Sequence, residues 1–467
     1  MKQVKYLILG AGSAGLTALS EIRRETEDFL MVNGGHFGTT CARVGCMPSK
    51  ALIHCAEHFH ARNFLNDFGV EGGENLVLNP QKVMARVRGF RDRFTQGVQA
   101  GSTDTLRSDQ LIKGYARFID EQTIEVNGEQ VRAERIIIAT GSRPVVPAAW
   151  ESLGEKLLTS DTLFELETLP KKVAVIGLGV IGLELGQALS RLGVDVTGVE
   201  MAEKMTVVQS PVMAKKIHQV LSTEFPILLG QAAQLTSTEN GIRVTVGHQV
   251  FEVDAVVAAL GRHANVDRLE LEHIGVSLND HGMPPFDPET LQVADKPIFI
   301  AGDVNAYRPV LHEAGHEGRI AAQNAISYPR VTHFERKTPI GITFTDPQVG
   351  VFGATYSQLD LSRAVIAEFD LERNNGRAIV MGQDKGKIVL YADQQTKCLL
   401  GGELFMVQAE HLTHLLAWAV AQKMTVKALL DLPFYHPVLE EALSSTLELL
   451  ADRLYSPSAL AKMPKVK

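Results

Sequence analysis

At 467 residues, with 45% hydrophobic residues, 21% charged residues and 40 glycines, the chain has a globular composition that excludes extensive disorder. Its 46 Lys and Arg against 54 Asp and Glu leave a net charge of −8, which offers no basic footprint for nucleic acid or anionic lipid. No apolar run reaches the ~18 residues of a membrane span, and four cysteines are too sparse for a disulfide-stapled secreted protein. A length well beyond one ordinary core predicts about two to four domains. The expected setting is a reducing, cytoplasmic compartment in which any disulfide is catalytic, and the expected partner is a small molecule.

The N-terminal MKQVKYLILGAG has the basic start and apolar run of a signal peptide, but cleavage there would remove the glycine motif, so it is read as a first β-strand. Residues 6–19 place that strand before Gly10-Ala-Gly12-Ser-Ala-Gly15 and a helix after it. In such a motif the first glycine permits the tight turn, the second lets backbone approach a pyrophosphate, and the third allows close helix–strand packing. The next strand, DFLMVN, ends at Asn33, where an acid is expected; an amide still bonds a ribose hydroxyl, without charge assistance.

Cys41 and Cys46 follow, five residues apart in GTTCARVGCMPSK. A metal clip would need more ligands, and His54, His58 and His60 are read as surface residues of the following helix. On a regular helix residues five apart stand ~8.6 Å apart between Cα atoms, beyond the ~6.8 Å reach of a disulfide. A bond between these two cysteines therefore requires a distorted first turn, for which Gly45 and Pro48 are suited. Strain of that kind makes a disulfide easier to reduce and suits redox exchange better than stapling.

Further buried strands are expected at 135–139, 254–259 and 297–301, each ending near a glycine. The first motif recurs at 173–189, with Gly177-Leu-Gly179-Val-Ile-Gly182 between strand and helix. Its second strand ends at Glu200, whose carboxylate can take both ribose hydroxyls and would repel a 2′-phosphate, favouring NAD over NADP. Lys204 is read as a surface charge. From about 339 the pattern changes to short strands, including alternation near 386–402, and amphipathic helices at 408–422 and 438–454: a separate α+β module.

With both glycine motifs, the C-x4-C and Pro48-Ser49-Lys50 in place, the chain resembles the flavoprotein disulfide reductases (class I pyridine nucleotide-disulfide oxidoreductases), nearest their dihydrolipoamide dehydrogenase branch. ATGS at 139–142, GLELG at 182–186, LGR at 260–262, IFIAGDV at 298–304, LHEAGHEG at 311–318 and YHPVLEEAL at 435–443 extend the resemblance over almost the whole chain. It implies an α/β fold of two Rossmann-like units, one for FAD and one for NAD, plus an α+β dimerisation domain. The implied boundaries are FAD unit 1–149 with its second part at 263–338, NAD unit 150–262, and interface domain 339–467.

The resemblance also implies roles. Cys46 lies against the flavin and Cys41 exchanges with substrate. Lys50 and Glu184 form an ion pair beside the flavin ring, Asp303 holds its ribitol, and Thr40, Thr140, Gly141, Ser142, His312 and Gly261 adjoin the cofactors. His436 is the acid/base, oriented by Glu441, and serves the other subunit of a homodimer. Cys55 and Cys398 are read as buried and inert. The implied reaction oxidises dihydrolipoamide with NAD+ through a Cys41–Cys46 disulfide. The implied partner is a lipoyl group, carried by a lipoyl domain of a 2-oxoacid dehydrogenase complex, or another small disulfide.

The chain departs from the family pattern at Asn33, at Thr39 for Gly, at Arg43 for Asn and at Val438 for Thr. Glutathione reductase is disfavoured because the context of Glu200 and Val180 lacks arginines for NADPH, and mercuric reductase because the tail SALAKMPKVK has no cysteine pair. A soluble transhydrogenase would not need Cys46. An NADH-dependent reductase of another disulfide, a quinone or a metal ion is the alternative within the family, and a non-catalytic subunit of a multienzyme complex is the alternative outside it.

Overall fold

The computed structural model describes residues 1–205 and 207–460. The last part of the SALAKMPKVK tail lies outside them. Three large sheets, of seven, five and five strands, organise the described residues. The first is a parallel run in the order Leu111–Lys113, Phe29–Asn33, Lys2–Leu9, Glu129–Ile138 and Ile298–Ile300, extended by the antiparallel strands Thr123–Val126 and Ala116–Phe118. Its central strand is apolar on both faces because both are covered: Leu7, Ile8 and Leu9 are at most 1% exposed. Each such side chain contributes roughly 1.5–3 kcal/mol by leaving water. Helices Ser13–Ile22 and Leu311–Ser327 pack together over one face. Residues Ile298–Ile300 return from far along the chain to pair with 136–138, which places Asp303, just after them, beside the first glycine turn.

The second sheet is wholly parallel, in the order Ile227–Leu229, Asp195–Glu200, Lys172–Ile176, Ala255–Ala258 and Leu157–Leu158. A three-stranded antiparallel sheet covers it from 233 to 253. The two glycine motifs are built alike. Gly10 and Gly177 have φ of +109° and +91°, and a Cβ on Gly15 or Gly182 would stand 1.9 or 1.8 Å from the carbonyl oxygen of Gly10 or Gly177. No side chain fits at these positions, which is the packing requirement expected of the motif.

The third sheet, antiparallel, runs in the order Ile340–Thr343, Gln348–Gly353, Leu399–Met406, Lys387–Asp393 and Ala364–Asp370. Helices Ala409–Ala421 and Glu441–Leu454 pack on it. The expected fold class, two α/β units with an α+β module, is the one observed. Cys55 and Cys398, expected to be buried, are half-buried instead: Cys55 is on the flank of a helix and Cys398 at a strand start. No described helix is long and apolar enough to cross a membrane.

Candidate active site

The chain between Gly38 and Lys50 does not form one helix. Gly45, at φ −120° and ψ −115°, breaks it into Thr40–Val44 and Cys46–His60, so the two cysteines stand on different helices, and the constraint of regular helical spacing no longer applies. The expected distortion is therefore a full break at Gly45, with Pro48 inside the first turn after it. A Cβ on Gly45 would stand 3.1 Å from the Thr40 carbonyl oxygen, so the glycine also permits the close approach of the two segments.

Thr39 caps the first helix by accepting from the Ala42 N–H at 3.3 Å, yet has φ +65° and ψ 151°, a region that glycine alone enters freely. Relief of about 1–3 kcal/mol of strain outweighs the few tenths lost with the cap and the ~0.4–1 kcal/mol of added unfolded-chain entropy. Thr39→Gly is therefore expected to raise the denaturant midpoint by the equivalent of about 1 kcal/mol. A lower midpoint would show that the cap outweighs the strain.

Both cysteines are free thiols in hydrogen-bond contact. The bond from Cys41 lowers the Cys46 thiol to about 7; burial opposes this, and the Lys50 ammonium assists it. Cys41 is pushed well above the ordinary thiol range by its bond to Cys46 and then by burial. Of the two, Cys46 is the thiol that ionises more readily. Arg43, between them, lies outside the crevice lining, and the cation that favours the thiolate is Lys50.

Cys41, Cys46, Thr40 and Lys50 line a crevice of about 610 Å³ onto which both glycine-motif helices open, through Gly12–Ala14 and through Val180, Ile181 and Glu184. Lys50 Nζ is 2.7 Å from Oε2 of the buried Glu184. Ser142 donates to Asp303 Oδ2 at 2.8 Å, and both side the crevice with Gly141 and His312. Burial lowers the His312 imidazole below its usual range.

Glu200 accepts the Leu178 N–H at 2.8 Å and the Ala202 N–H at 3.0 Å. Asn33 stands in the matching place, accepting the Ala11 N–H at 3.0 Å, but its amide nitrogen donates to the Gly35 carbonyl at 2.8 Å. Thr140 is turned away from the crevice: its hydroxyl donates to the Asn265 carbonyl at 2.8 Å. Gly10, Gly15, Gly177 and Gly182 shape the turns without lining the crevice, Gly179 caps the second helix with extended backbone, and Gly261 sits at φ +96° behind the wall.

Residues that the sequence reading did not single out complete the wall. Arg262 donates to the Ser142 hydroxyl and carbonyl, both at 2.8 Å, and stands 4.0 Å from Asp303. The quoted LGR motif held this signal. Phe344 and His414 enter from the third sheet and from helix Ala409–Ala421, and no local motif announces them.

His436 is not brought to the cysteines of its own chain. Its side chain is 81% exposed; Nδ1 lies 2.8 Å from Glu441 Oε1, whose second oxygen accepts the Val438 N–H at 3.1 Å. The bond to His436 holds the Glu441 carboxyl below its usual range, so it stays ionised at neutral pH.

The residues present fit a flavin dinucleotide. Gly12 leaves open space where a Cβ would stand, a helix N-terminus faces that space, and Asp303 offers a carboxylate to a hydroxyl. No group of three or more His, Cys, Asp or Glu among the described residues is arranged to hold a metal ion.

Comparison with known proteins agrees with this geometry. The family model described as pyridine nucleotide-disulphide oxidoreductase matches residues 4–326, and its dimerisation-domain model matches 340–447. A dihydrolipoyl dehydrogenase of Chlamydia pneumoniae is 27% identical over 93% of this chain and 94% of its own length. A mercuric reductase of Staphylococcus aureus is 30% identical over 91% of this chain and 78% of its own. In fold, the chain is similar to the HOCl-induced flavoprotein disulfide reductase RclA of Escherichia coli, with a TM-score of 0.83 at 22% identity over 95% of this chain and 99% of that one.

Proposed function

The chain belongs to the pyridine nucleotide-disulphide oxidoreductases, enzymes of FAD and a pyridine nucleotide, and from that premise we propose that it oxidises a dihydrolipoamide-type dithiol with NAD+. The observation that carries this reading is the pair Cys41 and Cys46, in contact at the wall of a crevice shared by both glycine-motif helices, with Cys46 poised as the thiolate.

The steps balance. A dithiol, deprotonated by His436, attacks the oxidised Cys41–Cys46 bond at Cys41 and leaves as the cyclic disulfide, with both cysteines reduced. FAD held in the crevice would supply the two-electron relay between the reduced cysteines and NAD+, and the overall exchange yields NADH and one proton. Cys41 is the exchanging sulfur because Cys46 is the better leaving thiolate and lies beside the Lys50 ammonium. Lys50 stabilises negative charge at the site, and Glu184 fixes that ammonium in place. Glu200 supports NAD over NADP.

A homodimer is part of the proposal. The helix Ala409–Ala421 exposes Leu415 and Trp418, and Leu432 and Tyr435 are exposed near His436 in sequence. His436 is away from its own chain's crevice, as a residue serving a partner's cysteines would be. A lipoyl group on a carrier domain is the proposed physiological dithiol. The mercuric reductase relative favours a second reading, NADH-dependent reduction of another disulfide, a quinone or a metal ion.

Anaerobic titration with NADH and with NADPH tests the nucleotide. Long-wavelength absorbance of a thiolate against oxidised flavin should grow with NADH at far lower concentration. Steady-state rates with lipoamide, glutathione disulfide, quinones and mercuric ion test the substrate. A higher kcat/KM for any of the last three would replace lipoamide.

Asn33 gives a further expectation. Asn33→Glu would repeat the arrangement of Glu200 and exchange a neutral ribose bond for a charge-assisted one, worth about 1 kcal/mol more. FAD is expected to bind roughly fivefold tighter in reconstitution of the stripped protein. Unchanged affinity would place Asn33 outside the ribose site.

A further inference from the structure

Among the segments of the C-terminal module that border the crevice of the cysteines is one loop. Residues 344–346, between strands Ile340–Thr343 and Gln348–Gly353, run along helix Val180–Arg191. Glu184, Gln187 and Arg191 of that helix are buried, and spacings of three and four put them on one face. Each meets the loop in turn. The Phe344 N–H donates to Glu184 Oε1 at 2.8 Å. The Asp346 N–H donates to Gln187 Oε1 at 2.8 Å, and Gln187 Nε2 returns a bond to the Asp346 carbonyl at 2.7 Å. Arg191 donates to the Asp346 carboxylate at 2.9 Å and is itself held by Glu224 at 2.7 Å.

The first of these contacts ends at the redox centre. With one Glu184 oxygen taken by Phe344, the other takes Lys50 at 2.7 Å, and the Phe344 ring stands 4.4 Å from the same ammonium. Three parts of the chain therefore meet on Lys50: the helix begun by Cys46, the second nucleotide unit and the C-terminal module. The ring covers one side of the ammonium that Glu184 leaves open, so less water screens its charge toward Cys46. The other titratable groups lining the crevice are Cys41, Arg262, Asp303, His312 and His414.

We propose that Phe344 is a positioning residue of the redox centre, holding Glu184 with its N–H and Lys50 with its ring, so that the seating of the C-terminal module sets how readily Cys46 ionises. This rests on the reading of Cys46 as the redox thiol. The ring, rather than the N–H, is what a substitution can remove cleanly, since the backbone bond to Glu184 survives in any variant but proline.

The test is the pH dependence of Cys46 alkylation by iodoacetamide in the reduced, FAD-loaded protein, read by mass spectrometry of the Cys46 peptide. Wild type should show a midpoint near 7. Phe344→Leu should move it up by about half a unit, an about threefold loss of thiolate below the midpoint. Phe344→Tyr, which keeps the ring, should restore it. Phe344→Met replaces the leucine variant if that one loses FAD or helical content.

A midpoint unchanged in a folded, FAD-loaded leucine or methionine variant overturns the proposal while leaving the redox reading intact. A wild-type midpoint at the ordinary thiol value of 9.0 overturns both.

Discussion

Cys46→Ser is expected to abolish NADH formation from dihydrolipoamide while leaving FAD bound. A serine hydroxyl is not ionised near neutral pH and cannot close a disulfide with Cys41, so neither half of the exchange can occur. The companion variant Cys41→Ala separates the two sulfurs. It too loses turnover, but its remaining Cys46 has also lost the hydrogen bond that is the largest cause of its acidity. Its alkylation midpoint should rise from about 7 toward 9.0. The sign is fixed by the chemistry: the bond from Cys41 favours the charged form, so its loss favours the thiol. Dithiol-dependent NADH formation surviving in Cys46→Ser would refute the mechanism, and a Cys46 midpoint unmoved in Cys41→Ala would refute the assignment of its acidity to Cys41.

The second large effect is expected at His436. Removing a general acid/base costs about 10²–10⁴ in rate, so His436→Gln should lower kcat with dihydrolipoamide by that order, while reduction of bound FAD by NADH is unaffected. Glu441→Gln should cost less, because it leaves the imidazole in place and removes only the carboxylate that orients Nδ1. A mixed dimer decides whose cysteines His436 serves. If the histidine acts on the partner, a dimer of one Cys46→Ser and one His436→Gln subunit carries both defects in one site and none in the other, and keeps about half the wild-type rate. If it acts on its own chain, that dimer is inactive. The distance of His436 from its own crevice makes the first result the expected one.

The nucleotide-binding turns were legible in the sequence because they depend on local backbone demands. Gly10, Gly15, Gly177 and Gly182 stand where a positive φ or a helix packed onto a carbonyl leaves no room for a side chain, and the strands before them are apolar on both faces. The break between Cys41 and Cys46 was legible for a similar reason: regular helical spacing holds the two too far apart for a bond, and Gly45 supplies the distortion that the expected redox pair requires. Glu200 was readable as a strand-end acid.

What tertiary structure alone decided are the contacts between units distant in sequence. Thr140 sits in a readable ATGS motif, yet its hydroxyl is spent on Asn265, 125 residues away. Phe344 carries no local signal; it matters because a loop of the third sheet lies along the helix bearing Glu184, 160 residues earlier. Which cysteine ionises more readily depends first on the bond from Cys41 and then on the Lys50 ammonium, against burial and the Glu184 carboxylate, and His436 is removed from its own cysteines by the placement of a whole module. Periodicity and spacing report the conformation of a segment and the face it buries; long-range pairing is set by how those faces pack, and no short stretch of sequence contains both partners.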